Sequence, residues 1–247
     1  MRLILAALLG WLASRLVKKV RERRRHHKLV RQLKDLGVYG GTVRVKSTQR
    51  GKTGIQECSA QPDGPVPFGY KTAWLAVQCD DPQKVAEAMC CLQWTPANWE
   101  TGLACCARSG GGVFLSPALD GFVLVIGGDL FALAHRREEL EALAARFPRV
   151  QYFASHRGSS SYCWARYEAG RCVRAYCCED GAVTWDAGAL TPEERALGFD
   201  AFALPDGEAG ARRPEEEDVL DIAAAWGIDP RFERKTYPPA AGWVCNE

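Results

Sequence analysis

Thr72-Ala73-Trp74-Leu75-Ala76-Val77-Gln78-Cys79 runs straight into Asp80-Asp81-Pro82, and this junction decides the fold. The first eight residues carry no charge and read as a buried strand. Asp81 then offers an N-cap and Pro82 a first helical residue with its φ preset, so a helix starts there with Val85, Met89 and Leu92 on one face. Further along, Thr95-Pro96 starts another helical piece that runs through Trp99 and Leu103. Val113 to Leu115 and Phe122 to Ile126 read as two strands separated by Ser116-Pro117 and Asp120-Gly121, a hairpin-like interval. Leu133, Leu140, Leu143, Ala144 and Phe147 mark an amphipathic helix, and Val150 to Ala154 is the next strand.

The order strand, helix, strand, strand, helix, strand is the split βαβ arrangement of ferredoxin-like domains, with helices covering one sheet face. Three more strand patterns follow: Tyr162 to Tyr167, Cys172 to Cys178 and Ala182 to Trp185. Glu168-Ala169-Gly170-Arg171 and Glu179-Asp180-Gly181 join them with turn chemistry, so a β-meander extends the sheet. Thr191-Pro192-Glu193-Glu194 is a capping box with proline in the first turn, and Glu215 to Trp226 is a last helix stopped by Gly227 and Pro230. The expected fold class is therefore α+β: a ferredoxin-like βαββαβ core extended by an antiparallel β-meander. An N-terminal membrane-associated helix precedes it. The chain divides into an apolar and basic helix over 1–36, a linker or ordered loop over 37–69, and a globular domain over 70–247.

The half of the chain carrying the Asp120-Gly121 strand, Tyr152-Phe153-Ala154-Ser155-His156-Arg157, Trp164-Ala165-Arg166 and the Thr191-Pro192-Glu193-Glu194 helix resembles uncharacterised bacterial α+β proteins with no assigned activity. The resemblance implies a bacterial origin and an α+β fold. It implies no mechanism, because its motifs are turns and strands rather than catalytic groups.

Charge is distributed unevenly. Residues 1–54 hold fifteen Lys/Arg against two Asp/Glu, whereas residues 55–247 hold seventeen against twenty-eight. The near-neutral whole therefore joins a basic end to an acidic body. Within the basic end, an apolar run from Leu3 to Ala13 containing Trp11 is followed by Arg15, Lys18, Lys19, Arg21, Arg23, Arg24, Arg25 and Lys28. An apolar stretch followed by a cation cluster is a pattern for contact with an anionic lipid surface. As a helix, Leu3 to Val17 spans only about 22 Å against a hydrocarbon layer of about 30 Å, so shallow seating or local thinning is required. If the run crosses, the positive-inside rule leaves the main domain on the cytoplasmic side. The cations follow the apolar run rather than precede it and no Ala-x-Ala site occurs, which disfavours a cleaved export signal. Nucleic acid is an unlikely partner for the cluster, because stacking and base readout call for aromatics or amides among the cations. A protein partner for the body is compatible with the same arrangement.

Eleven cysteines include three vicinal pairs but no Cys-x-x-Cys, and only four histidines accompany them. Neither a metal site nor a cofactor is expected from that spacing. Small buried hydrophobes in a reducing compartment is the simplest account of the thiols. Gly110-Gly111-Gly112 leads into a strand, and Gly127-Gly128 lacks the Lys-Ser/Thr of a phosphate loop, so both read as turns.

The densest polar constellation is His156, Arg157, Ser159, Ser160, Ser161 and Tyr162, just past a strand where loops often hold binding groups. His156 can exchange a proton near neutral pH, Arg157 can fork onto a carboxylate or phosphate, and the serines supply hydroxyls. A hydrolase can be assembled on paper from Cys163 or Ser161 with His156 and Asp186, but no nucleophile elbow or cysteine-protease context accompanies them. No residue is therefore assigned a catalytic role. The expectation is a membrane-associated interaction or ligand-sensing module, with a hydrolase-like enzyme using the His156 loop as the alternative.

Overall fold

A computed structural model of the chain describes residues 58–91, 93–107, 112–204 and 208–246. The 1–36 segment, with all of its expected lipid contacts, and residues 37–57 lie outside the described residues.

Nine strands form one antiparallel sheet: β1 (Thr72–Gln78), β2 (Gln93–Ala97), β3 (Val113–Leu115), β4 (Phe122–Ile126), β5 (Arg149–His156), β6 (Ser161–Glu168), β7 (Arg171–Glu179), β8 (Ala182–Ala187) and β9 (Gly242–Asn246). Their order across the sheet is β2-β9-β3-β4-β1-β5-β6-β7-β8. Five α-helices accompany it among the described residues: α1 (Pro82–Ala88), α2 (Trp99–Cys106), α3 (Arg137–Ala144), α4 (Pro192–Ala196) and α5 (Glu216–Trp226). The fold is thus α+β, built on a large antiparallel sheet. The meander β5-β6-β7-β8 follows chain order, and its tight turns put positive φ at both central residues. Ala169 (45°) and Gly170 (77°) close β6–β7, and Asp180 (47°) and Gly181 (77°) close β7–β8. Such turns match the right-handed twist of the strands they join.

Alternation along β1 sorts the core into two layers. Leu75 and Val77 face a layer with Val85 of α1, Leu130 and Leu133 of a 3₁₀ segment (Gly128–Ala134), and Leu140 and Leu143 of α3. Trp74 and Ala76 face the other layer, with Trp99 of α2, Phe199, and Val219 and Trp226 of α5. Helices therefore cover both faces of the sheet, where the sequence suggested one. The layers differ in chemistry. Stacked rings join Trp74 to Phe153 (5.1 Å) and Trp164 to Tyr176 (4.8 Å) on the α5 side, whereas the α3 side is mainly aliphatic.

Thr95-Pro96 does not start a helix. Both residues lie in β2, and α2 begins at Trp99 behind the N-cap Asn98, whose Oδ1 accepts from Thr101 N at 3.0 Å. A proline is tolerated there because β2 is an edge strand. Its single partner among the described residues is β9, the Trp243-bearing tail, which inserts between β2 and β3 and packs Trp243 against Trp94. Residues 58–69 also pack on the body: the Asp63 carboxylate accepts from Trp99 N (2.7 Å) and Glu100 N (3.0 Å), and Phe68 meets Trp74 edge-on. In α2, a Cβ on Gly102 would fall 2.3 Å from the Phe114 ring, so glycine lets the helix sit on the sheet.

Both outer edges resist further pairing. Pro96 removes a donor from β2. At the other edge, a bulge between Cys177 and Cys178 leaves Thr184 extra in β8, and Arg137 of α3 donates to the Thr184 carbonyl at 3.0 Å while lying over the Trp185 ring. Two disulfides, Cys91–Cys245 and Cys163–Cys177, depart from the expectation of reduced thiols. Sheet pairing accounts for the second, since Cys163 and Cys177 are cross-strand partners of β6 and β7.

Candidate functional site

The predicted loop is the β5–β6 hairpin turn. His156 ends β5, Arg157–Ser159 form one 3₁₀ turn, Ser160 takes a left-handed conformation (φ 44°), and Ser161 opens β6 opposite His156. Folding brings four of the six residues into two bonded groups, His156, Ser159 and Ser161 in one and Arg157 with Glu216 in the other. Ser159 Oγ lies 3.0 Å from His156 Nδ1 and 2.9 Å from Ser161 Oγ, while the imidazole edge meets Phe131. Arg157 reaches Glu216 at 3.8 Å, and Glu216 also accepts from Ser155 Oγ (2.8 Å) and Lys71 N (3.2 Å). Half-buried Tyr162 has its phenol pKa raised, first by burial and then by the Glu216 charge. Ser160 is exposed and closes the turn through its backbone, N–H to Arg157 O.

The paper hydrolase is not brought together. Cys163 is buried and disulfide-bonded, Asp186 is held by Arg174, and among the described residues His156 bonds to Ser159 and to no carboxylate. A hairpin whose hydroxyls and imidazole bond to one another, with its guanidinium paired to Glu216 of α5, is a well-capped turn. No group of His, Cys, Asp or Glu among the described residues is arranged to hold a metal ion.

Sequence reading missed two features. One is a buried ionic network. Arg174 Nε of β7 donates to both oxygens of the fully buried Glu194 (2.8 and 3.0 Å), which also accepts from Trp164 Nε1 (2.8 Å) and Thr191 N (2.7 Å). Burial alone would lower the Arg174 pKa, but bonds to Asp186 and Glu194 outweigh it and raise the value, so the guanidinium stays charged. A lone Arg inside the apolar run Cys172 to Cys178 was the available signal, since a buried cation requires a buried acid.

The other is a cavity of about 800 Å³ in the aliphatic layer, between α1, α3, the 3₁₀ segment and the sheet. Leu75, Val113, Leu130, Leu133, Leu140 and Leu143 form its apolar walls, and the Cys91–Cys245 disulfide contributes to them. Its charged groups, Asp129, Arg136, Glu139 and Arg146, all lie at exposed positions, as does Gln93. Arg136 is satisfied by Glu139 at 3.0 Å, whereas Arg146 makes no ion pair among the described residues. The volume falls within the range of about 300–1,000 Å³ common for ligand pockets. A physical reason for the void is visible in the two layers: most of the bulky rings sit on the α5 side, and the α3-side rings Tyr152, Tyr167 and Trp185 do not line the cavity, leaving aliphatic side chains around it.

No protein-family model matches the chain, and neither does a curated protein or a solved structure.

Proposed function

We propose that the chain is a non-catalytic ligand-binding module held at a membrane surface, with the cavity beside α3 as its binding site. The cavity carries this reading: an apolar interior with charged groups confined to exposed positions is the arrangement of a small-molecule pocket. The membrane half rests on the residue pattern of 1–36, with an anionic lipid surface as partner and the main domain on the cytoplasmic side. Among the described residues no helix is long and apolar enough to cross a membrane. The centre of the sheet is read as ferredoxin-like within the same proposal. The order β3-β4-β1-β5, all antiparallel and with α1 and α3 on one face, supports that description.

The neutral dye Nile red tests the binding site in full-length protein without vesicles. Saturable binding that is lost in Ala142→Trp, which places an indole at the cavity from an exposed helix position, is the expected result. No saturable binding, or binding untouched by the substitution, overturns the reading.

A further inference from the structure

We infer that the cavity takes a single long aliphatic chain ending in a carboxylate, with the chain against the Leu-rich walls and the head at Arg146. The inference rests on the pocket reading above and adds the ligand class. Three observations carry it.

The first is the composition of the walls. Among the described residues no aromatic lines the cavity, although rings fill the opposite layer. Flat ligands are ordinarily gripped by stacking on such rings, whereas an irregular aliphatic wall containing Met89 suits a conformable chain.

The second is size. At on the order of 30 Å³ per water-sized group, a sixteen-carbon chain fills roughly 500 Å³. The cavity accommodates it with room for the head.

The third is charge. Of the two arginines that line the cavity among the described residues, Arg136 is already neutralised by Glu139, and Arg146 has no acidic partner there. A guanidinium fork matches a carboxylate through two parallel hydrogen bonds.

The experiment uses full-length protein, sodium palmitate and 1-hexadecanol, each displacing 11-(dansylamino)undecanoic acid. Palmitate is expected to displace the probe at one site. Arg146→Ala weakens palmitate about tenfold and leaves hexadecanol unchanged, and Ala142→Trp weakens both at least tenfold. Met89→Trp serves as a second blocking substitution, and unchanged melting of each variant confirms its fold. The inference falls if palmitate does not compete while Nile red still binds, which leaves the pocket reading standing. It falls equally if Arg146→Ala weakens palmitate and hexadecanol alike, or if neither blocking substitution affects palmitate.

Discussion

Glu194 shows how much one side chain can hold. It closes the capping box of α4, accepts from the Trp164 indole and faces Arg174, all without solvent contact. Removing one partner of a buried ion pair strands the other charge, at about 3–5 kcal/mol. Glu194→Ala should therefore lower the unfolding free energy in urea by that amount, and a loss under about 1 kcal/mol would show that the network adds little. Asp120 offers a contrasting, exposed case. Hydrogen bonds from Lys235 and then Tyr237 hold its carboxyl below the ordinary value of 3.8, so its contribution to stability is present above that pH and is lost as pH falls through the folded value. Following the Asp120 carboxyl by NMR should give a midpoint under 3.8 that rises in Lys235→Met. Thiols differ in the same local way. Burial pushes Cys106 up to about 12 and, with help from Cys105, Cys58 up to about 11, whereas Cys90 is exposed. Iodoacetamide at pH 8 should label Cys90 well before either, because only the thiolate reacts; early labelling of Cys106 would contradict its burial.

At the scale of elements, the C-terminal strand decides most. β9 pairs with β2 on one side and β3 on the other, and Cys245 ties it to Cys91 across 154 residues of sequence. Cross-links closing long loops contribute about 2–4 kcal/mol. Reduction should lower stability by that order and Cys245→Ser should remove most of the reductant effect; unfolding insensitive to reductant would deny the bridge a role. This strand also marks where the sequence stopped being readable. The β1-to-α1 junction, the Gly-containing turns of the meander and the Thr191 capping box were legible because each is decided within a few neighbouring residues. Thr95-Pro96 was misread because the helix-start chemistry of a proline competes with an edge-strand role, which depends on residues 242–246 far along the chain. The candidate site followed the same rule. The His156 loop stood out as a polar cluster, yet its groups bond to one another or to Glu216, whereas the cavity is assembled from α1, α3, the 3₁₀ segment and four strands and leaves no local mark.

For the whole molecule, the opposed charges of 1–54 and 55–247 bear on how the chain would sit at a membrane. An anionic leaflet attracts residues 15–28 and repels the acidic body, with each basic side chain near the surface contributing about 1 kcal/mol. Full-length protein should float with anionic liposomes at low salt, and a chain lacking residues 1–28 should stay behind; full-length protein remaining in the soluble fraction would remove the membrane half of the proposal. The interleaved tail has a consequence for biosynthesis. β2 leaves the ribosome about 145 residues before the strand that flanks it, a wait of roughly 7–30 s at ordinary elongation rates. Throughout that interval a bare strand is open to any extended neighbour. Pro96, with no N–H to donate, leaves such an intruder one hydrogen bond fewer to make.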